Sequence, residues 1–167
     1  MNLAQSRLPD FDHEMALTRK TLARVPEDRN EWRPHPKSFT MLALASHLAT
    51  IPSYTGFTFK TDSLDVAPVG KEPMRPPELK TRAELLEAFD RGVAEAREAL
   101  AAATDEAMLQ PWSLLKGGQT IFTLPRVAVV RVMVMNHMIH HRAQLGVYLR
   151  LCDVAVPAIY GPSADEA

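Results

Sequence analysis

Two histidines four residues apart, His137 and His141, carry the spacing in this sequence that most directly suggests chemistry. Residues four apart on a helix share one face, with Cβ atoms about 5–6 Å apart. Two imidazoles at that spacing can bind one metal ion at metal–nitrogen distances of about 2.0–2.1 Å. Position 138 is Met, so the sequence lacks the glutamate base of a His-Glu-x-x-His metalloprotease. His140 lies one residue off this face, and we expect it to point elsewhere.

A catalytic metal site needs a third protein ligand, and His47 is the best candidate. It lies midway along a predicted helix, with Leu44 and Ile51 on the same apolar stripe. An imidazole on such a stripe must find a polar partner, because an unpaired buried polar group costs ~1–3 kcal/mol. The alternative is that these histidines are ordinary core residues bonded to backbone carbonyls or water. Because helical bundles build metal sites from facing helices, we favour metal binding.

The elements that would position these histidines follow from the prolines. Thirteen prolines punctuate the chain, and a proline inside a helix costs roughly 3 kcal/mol. The proline-free stretches 10–25, 37–51, 79–110 and 126–156 all show helical periodicity, and we predict four main helices from them. In the last stretch several valines favour a strand, but its length decides for a helix.

Local signals refine these helices. Asp10 is a plausible N-cap for the first helix, and Thr81 with Glu84 forms a capping box for the third. Beyond Pro52 a kinked turn toward Phe57 stays open as an extension of the second helix. Residues 68–77 and 111–119 are predicted loops, the latter because it contains two adjacent glycines.

These elements predict one domain over residues 1–167, of the all-α class: a four-helix bundle with long proline-rich connections. The second connection, residues 59–80, is too long for a tight hairpin, so the order of the helices in the bundle stays open. A chain of 167 residues with 46% hydrophobic residues can bury a core without disulfides or a structural metal.

Composition excludes several functional classes. Nineteen basic and twenty acidic residues give a net charge of −1, whereas nucleic-acid binders usually carry a basic excess. We therefore expect no nucleic-acid partner. The most apolar stretch, residues 123–135, is interrupted by two arginines and is too short to span a bilayer, so we expect no membrane association. The absence of a recognisable signal peptide, together with a free cysteine, favours a reducing cytoplasm.

The single cysteine, Cys152, rules out a disulfide framework and the Cys₄ and Cys₂His₂ zinc modules. A thiol nucleophile is possible in principle, but no activating base lies near it in the sequence. A buried inert cysteine is the better interpretation.

Several segments together resemble one known family, the DinB/YfiT-like proteins. Residues 136–150 (NHMIHHRAQLGVYLR) resemble its last-helix signature, a His-x₃-His pair followed by Arg-x-Gln. Residues 32–38 (WRPHPKS) and 44–49 (LASHLA) resemble its entry to the second helix and its first metal histidine, and residues 156–163 (VPAIYGPS) resemble its usual ending. The usual glycine after His-Arg is Ala143 here, a conservative change. The likeness covers nearly the whole chain.

The resemblance implies a four-helix bundle, commonly a homodimer, with a divalent metal ion held by three histidines. By position these are His47, His137 and His141, and zinc or nickel is the expected metal. Characterised relatives include metal-dependent transferases and isomerases that use low-molecular-weight thiols such as bacillithiol or mycothiol, and many members have no known activity. The family name refers to induction by DNA damage, which describes expression and not DNA binding.

A site of three neutral imidazoles would leave the ion an open position, the feature that separates catalytic from structural zinc sites. Together with the thiol chemistry that the resemblance implies, this open position leads us to expect a metal-dependent enzyme of the thiol S-transferase type, acting on a thiol and an electrophilic small molecule. The alternatives are a non-catalytic, metal-stabilised bundle acting in stress response or protein interaction, and a metal-free domain. No acid–base residue is evident, so the catalytic residues stay unassigned. Candidates for supporting or substrate contacts are Asn136, Arg142, Gln144 and Tyr148, with packing the favoured role for Arg142.

Overall fold

The computed structural model describes residues 2–75 and 77–166. In chain order its elements are α1 (Leu3–Leu22), α2 (Met41–Thr50), α3 (Ser53–Lys60), β1 (Ser63–Asp65), α4 (Arg82–Ala102), α5 (Asp105–Leu109), β2 (Pro111–Lys116), β3 (Gln119–Pro125), α6 (Arg126–Val129), a π-helical segment (Val130–Asn136) and α7 (His137–Leu151). A short 3₁₀ turn, Glu27–Arg29, lies between α1 and α2. None of the helices in the described ranges is long and apolar enough to cross a membrane.

The predicted fold class, an all-α four-helix bundle, is wrong, because three strands form a mixed sheet beside the helices. Strand β1 pairs parallel with β2, and β2 pairs antiparallel with β3. Parallel strands need a long crossover connection, and α4 and α5 lie within the one that joins β1 to β2. The long connection at residues 59–80 therefore contributes a strand and is not simply a loop.

The segment predicted as a loop, residues 111–119, instead forms β2 and the turn into β3. Gly117 and Gly118 lie at the turn with φ angles of 60° and 75°. Positive φ at both central residues is what a type I′ hairpin turn requires, and glycine adopts it without steric cost. The carboxylate of Asp65, at the end of β1, accepts hydrogen bonds from both glycine N–H groups at 3.1 and 2.7 Å. These bonds fix β1 to the hairpin.

The first helix begins earlier than predicted. Asn2, not Asp10, is the N-cap of α1: its side chain accepts from the Gln5 N–H at 2.8 Å, and Gln5 accepts from the Asn2 N–H at 3.4 Å. This reciprocal capping box satisfies two N–H groups at the helix start. The helix continues through Pro9 despite the backbone hydrogen bond that a proline removes.

The third predicted helix is interrupted. Thr81 caps α4 by accepting from the Glu84 N–H at 3.2 Å, as predicted, but Glu84 accepts from the Lys80 N–H at 2.6 Å and not from Thr81. The helix ends at Ala102, and Thr104 caps the separate short helix α5. The second predicted helix breaks near Pro52 and resumes as α3, which extends to Lys60.

The four long helices α1, α2, α4 and α7 pack around one apolar core. Its largest fully buried side chains include Phe11, Leu44, Leu48, Phe89, Met138 and Leu145. Helix α2 packs against both α4 and α7. The contact between α2 and α7 sets the position of the candidate ligands.

Candidate metal centre

Three histidines from α2 and α7 converge on one point. The Nε2 atom of His137 lies 3.2 Å from Nε2 of His47 and 2.8 Å from Nε2 of His141. One ligand atom from each of the three residues falls within 4.8 Å of the other two. The residues that sequence spacing selects as candidate ligands are therefore brought together, in a geometry compatible with metal binding.

The local structure of the two helices explains this convergence. Thr40 caps α2 by accepting from the Ala43 N–H at 3.1 Å, and buried Leu44 and Leu48 fix the side of α2 that faces the core. His47 lies next to this buried side and is itself partly exposed. On α7, His137 and His141 lie one turn apart, so both face α2.

A π-helical segment leads directly into the pair. It covers Val130–Asn136 and ends where His137 begins α7. Such wide turns are rare and often occur at functional sites. The backbone of Met133, one turn before His137, lies in this segment and opposes the lowering of the His137 pKa by burial.

The hydrogen bond of the His141 ring fixes which of its nitrogens is free. Nδ1 of His141 lies 2.7 Å from Oε1 of Gln144, and an amide oxygen can only accept a hydrogen bond. His141 therefore carries its proton on Nδ1. Its Nε2 lone pair faces Nε2 of His137 at 2.8 Å, where it can accept a hydrogen bond or bind a cation.

Burial keeps these imidazoles neutral. Burial, reinforced by the nearby His141 and His137, lowers the pKa of His47 from 6.5 to about 4. Burial also lowers the pKa of His137, and the neighbouring His141 adds to the effect. The pKa of His141 is lowered by burial against the opposing hydrogen bond to Gln144. Neutral imidazole is the form that binds a metal ion, so the cluster is in its ligand form at neutral pH.

The geometry fits a tetrahedral or octahedral ion. Ligand nitrogens at metal distances of about 2.0–2.1 Å lie about 2.9 Å apart in an octahedral site and about 3.3 Å apart in a tetrahedral one. The observed separations of 2.8 and 3.2 Å match this range. Imidazole donors suit zinc, nickel, copper and iron. Three such donors would leave at least one coordination position open.

The family follows from comparison with known sequences. A sequence model of the DinB family matches residues 7–167. This chain belongs to the DinB family. The resemblance predicted from residues 136–150 and the other segments is thereby confirmed. The comparison with curated proteins gave no match for this DinB-family chain.

Solved structures share the fold of this DinB protein. A DinB-like protein from Bacillus cereus ATCC 10987 is 20% identical, with a TM-score of 0.68 over 93% of this chain and 97% of the other. A DinB-like protein from Bacillus subtilis is 16% identical, with a TM-score of 0.67 over 92% of this chain and 97% of the other. At these identities the likeness concerns the fold.

The other candidate residues of this DinB protein fall into two groups. Gln144 holds His141, and Tyr148 donates its hydroxyl proton to the Phe39 carbonyl at 3.2 Å, in the same open cleft as His141. Arg142 points away from the cluster: its guanidinium is 3% exposed and pairs with Glu14 of α1 at 2.7 Å. Asn136 is exposed and has no side-chain hydrogen bond within the described residues.

Two remaining residues of the sequence analysis lie outside the cluster. His140 is exposed, and its ring centroid lies 4.9 Å from that of His141, without joining the three converging nitrogens. Burial raises the pKa of the Cys152 thiol, which agrees with an inert cysteine.

One residue beside the centre escaped the sequence analysis. The Phe39 ring lies 6.2 Å from the His47 ring and 6.4 Å from the His141 ring, centroid to centroid, and covers the cluster from the loop before α2. Phe39 comes directly before Thr40, the cap residue of α2, and the segment that enters a helix lies beside that helix. This position in the sequence could have predicted that Phe39 lies near His47.

Proposed function

We propose that this DinB-family protein is a metal-dependent enzyme of the thiol S-transferase type, with a divalent ion, zinc or nickel, held by His47, His137 and His141. The observation that supports the proposal is the meeting of three Nε2 atoms, with the lone pair of His141 directed at His137 2.8 Å away. A cluster of neutral nitrogen donors is stabilised by a cation at its centre.

When bound, the ion would act as a Lewis acid that lowers the pKa of a thiol or a water molecule at the open position. The protein's own residues supply orientation and a partly dry setting. Gln144 fixes the tautomer of His141, which is the usual role of such an outer hydrogen bond. The Phe39 ring adds apolar surface beside His47 and His141.

The polar cleft beside His141 favours the thiol as the substrate that enters there. It is lined by Lys37, Ser38, Gln144 and Tyr148, together with Phe39 and His141. Lys37 adds a positive charge, which attracts the carboxylate of a small anionic thiol. In the reaction, the thiol sulfur forms a bond to a carbon atom of the electrophile while the bond between that carbon and its leaving group breaks. The thiol proton passes to solvent.

Metal content is the first test. We expect protein purified without a histidine tag to contain about one equivalent of a divalent metal by elemental analysis. The His141→Ala variant should lose it, because two imidazoles alone hold such an ion weakly. His140→Ala is the matched control, since it removes a neighbouring imidazole outside the cluster, and it should retain the metal. Metal-free wild-type protein that takes up no zinc or nickel would overturn the proposal.

Turnover is the second test. A chromogenic aryl halide is mixed with a panel of low-molecular-weight thiols, with and without chelator. We expect a rate above background with at least one thiol, lost with chelator and restored by metal. Metal-loaded protein that gives no rate with any thiol would contradict the transferase assignment while leaving the metal site intact.

The second candidate function is a non-catalytic bundle stabilised by its metal. It is favoured by the placement of the ligands, because an ion at this point would join α2 to α7. The two functions differ in the accessibility of the ion. Binding of added azide or thiol to a cobalt-substituted protein, seen as a change in its absorption spectrum, favours the enzyme, and a sealed ion favours the structural role. The expected homodimer is tested separately by sedimentation.

A further inference from the structure

A cavity of about 200 Å³ lies beside the histidine cluster. His47 and His137 form part of its wall. The rest comes from α3, from the segment around Met133 and from the sheet. The cavity and the cleft share no lining residue, so the three histidines stand between two compartments of different character.

The lining of the cavity is mainly apolar. Leu64 of β1 and Leu114 of β2 are register partners, so their side chains lie on the same face of the sheet, and both line the cavity. Val66, Val129 and Met133 add further apolar surface. A register shift in the hairpin falls between Leu114 and Leu115, and such bulges re-aim side chains next to binding sites.

Two polar groups of the wall are occupied within the protein. Trp112 donates its indole N–H to the Thr61 hydroxyl at 3.2 Å, and Thr58 donates its hydroxyl proton to the Tyr54 carbonyl at 2.7 Å. A ligand group in this space gains little from hydrogen bonds to these atoms and gains from removing apolar surface from water.

The volume limits the size of the occupant. An engineered apolar cavity of about 150 Å³ binds benzene, so a space of about 200 Å³ accommodates a substituted benzene ring or a branched alkyl group of similar size. The polar cleft beside His141, with its lysine, favours the thiol. The apolar compartment is then left for the other substrate.

From this division we propose that the cavity binds the apolar group of the electrophilic substrate, an aryl or branched alkyl group about as large as toluene, beside His47 and His137. The assignment to a substrate rests on the proposed function. The site itself is formed by this chain's own side chains and does not require the ion.

Toluene is the probe that tests the site, because it has no atom that binds a metal. Trp112 lines the cavity and is 4% exposed, and Trp32 is the only other tryptophan. In a Trp32→Phe background, toluene should change the Trp112 fluorescence saturably. In wild-type protein carrying ¹³C-methyl methionine, the Met133 signal should shift with the same dissociation constant, which provides the readout if Trp32→Phe does not fold.

Filling the cavity gives the matched comparison. Val66→Phe should weaken toluene binding at least about tenfold, because the added ring fills space that the ligand would otherwise occupy. A tenfold loss of affinity corresponds to about 1.4 kcal/mol of binding free energy. Leu114→Phe is the second filling variant if Val66→Phe does not fold. Ile121→Phe adds the same ring on the exposed part of β3, outside the cavity, and should leave toluene binding unchanged.

The outcomes separate this inference from the proposed function. Absence of saturable toluene binding, or equal binding by Val66→Phe and Ile121→Phe, overturns the inference even if metal and thiol transfer are found. Toluene binding in a protein without metal or turnover supports the apolar site and overturns its assignment to an electrophile. Where thiol transfer is found, toluene should compete with the electrophile and not with the thiol, and competition with the thiol alone would overturn the assignment.

Discussion

Nδ1 of His141 lies 2.7 Å from the side-chain oxygen of Gln144, one helical turn further along α7. This contact decides the protonation of the ring: the proton is held on Nδ1, and the Nε2 lone pair is directed at His137, 2.8 Å away. The His-Arg-x-Gln part of the last helix thus contributes a ligand and the residue that orients it. Arg142, which lies between them in the sequence, pairs instead with Glu14 of α1.

Removing the amide of Gln144 should weaken metal binding without removing a ligand. In Gln144→Leu, the His141 ring loses the acceptor that holds its tautomer and orientation. Loss of such outer partners typically lowers metal affinity by about 10–100-fold. Competition with a chelator of known affinity measures the effect, and Gln144→Glu, which keeps an acceptor, should retain the affinity. Wild-type affinity in Gln144→Leu would show that the contact is incidental.

The metal-free protein should lose stability as the pH falls from about 6.5 toward about 4. The pKa of His47 is about 4 in the folded protein, lowered by burial first and then by the other two histidines, whereas an unfolded histidine titrates near 6.5. Between pH 6.5 and 4 the unfolded chain binds more protons than the folded chain, so acid favours unfolding. Above pH 6.5 His47 is neutral in both states and does not change the free energy of unfolding. The slope approaches about 1.4 kcal/mol per pH unit and is reduced by the partial exposure of the ring.

Urea unfolding in chelator at pH 4.5 to 7.5 measures this dependence. His47→Gln removes one titrating group at similar size and should reduce the slope over the same range, while His137 and His141, whose pKa values burial also lowers, keep the rest. Equal slopes for wild type and variant would mean that other groups carry the pH dependence.

Metal loading should raise the melting temperature. An ion that binds only the folded chain at a free concentration about 100 times its dissociation constant adds about 2.7 kcal/mol, or about 5–10 °C for a domain of this size. Calorimetry with zinc and then with excess chelator measures the shift. In His141→Ala the two curves should coincide, and a zinc-induced shift that persists in this variant would place the ion elsewhere.

The sequence predicted the candidate centre better than the fold around it. The spacing of His137 and His141, and the position of His47 on an apolar stripe, depend on local helical geometry, which periodicity reports. The orienting role of Gln144 follows from the same geometry, since it lies three residues from His141 on one face. By contrast, no residue pattern predicts the π-helical segment that leads into His137.

The sheet was missed because its pairing is non-local. Strand β1 has only three residues, and its partner Leu114 lies fifty positions from Leu64. Strand preference depends on such neighbours more than on residue type. Because of Gly117 and Gly118, residues 111–119 are predicted as a loop, although adjacent glycines with flanking apolar residues also fit a hairpin turn. The apolar cavity depends on this sheet, so it could not be predicted either.

Arg142 supports the fold and not the metal centre, and its replacement should separate the two. Its guanidinium, 3% exposed, pairs with Glu14 at 2.7 Å and donates to the Thr18 hydroxyl at 3.2 Å. Removing one partner of a buried pair leaves an uncompensated charge and costs about 3–5 kcal/mol. Arg142→Met should lower the free energy of unfolding by that amount, measured with urea, while its metal content stays at the wild-type level.

The surface ion pair between Arg97 of α4 and Asp12 of α1 is the matched control. Its N–O distance is 3.0 Å, but both side chains are about half exposed, and such pairs contribute about 0–1 kcal/mol. Arg97→Met should therefore change the free energy of unfolding by less than about 1 kcal/mol. A different outcome would contradict the structural role of Arg142: loss of metal in Arg142→Met, with a free energy of unfolding no lower than that of Arg97→Met. Arg142 would then belong to the histidine centre.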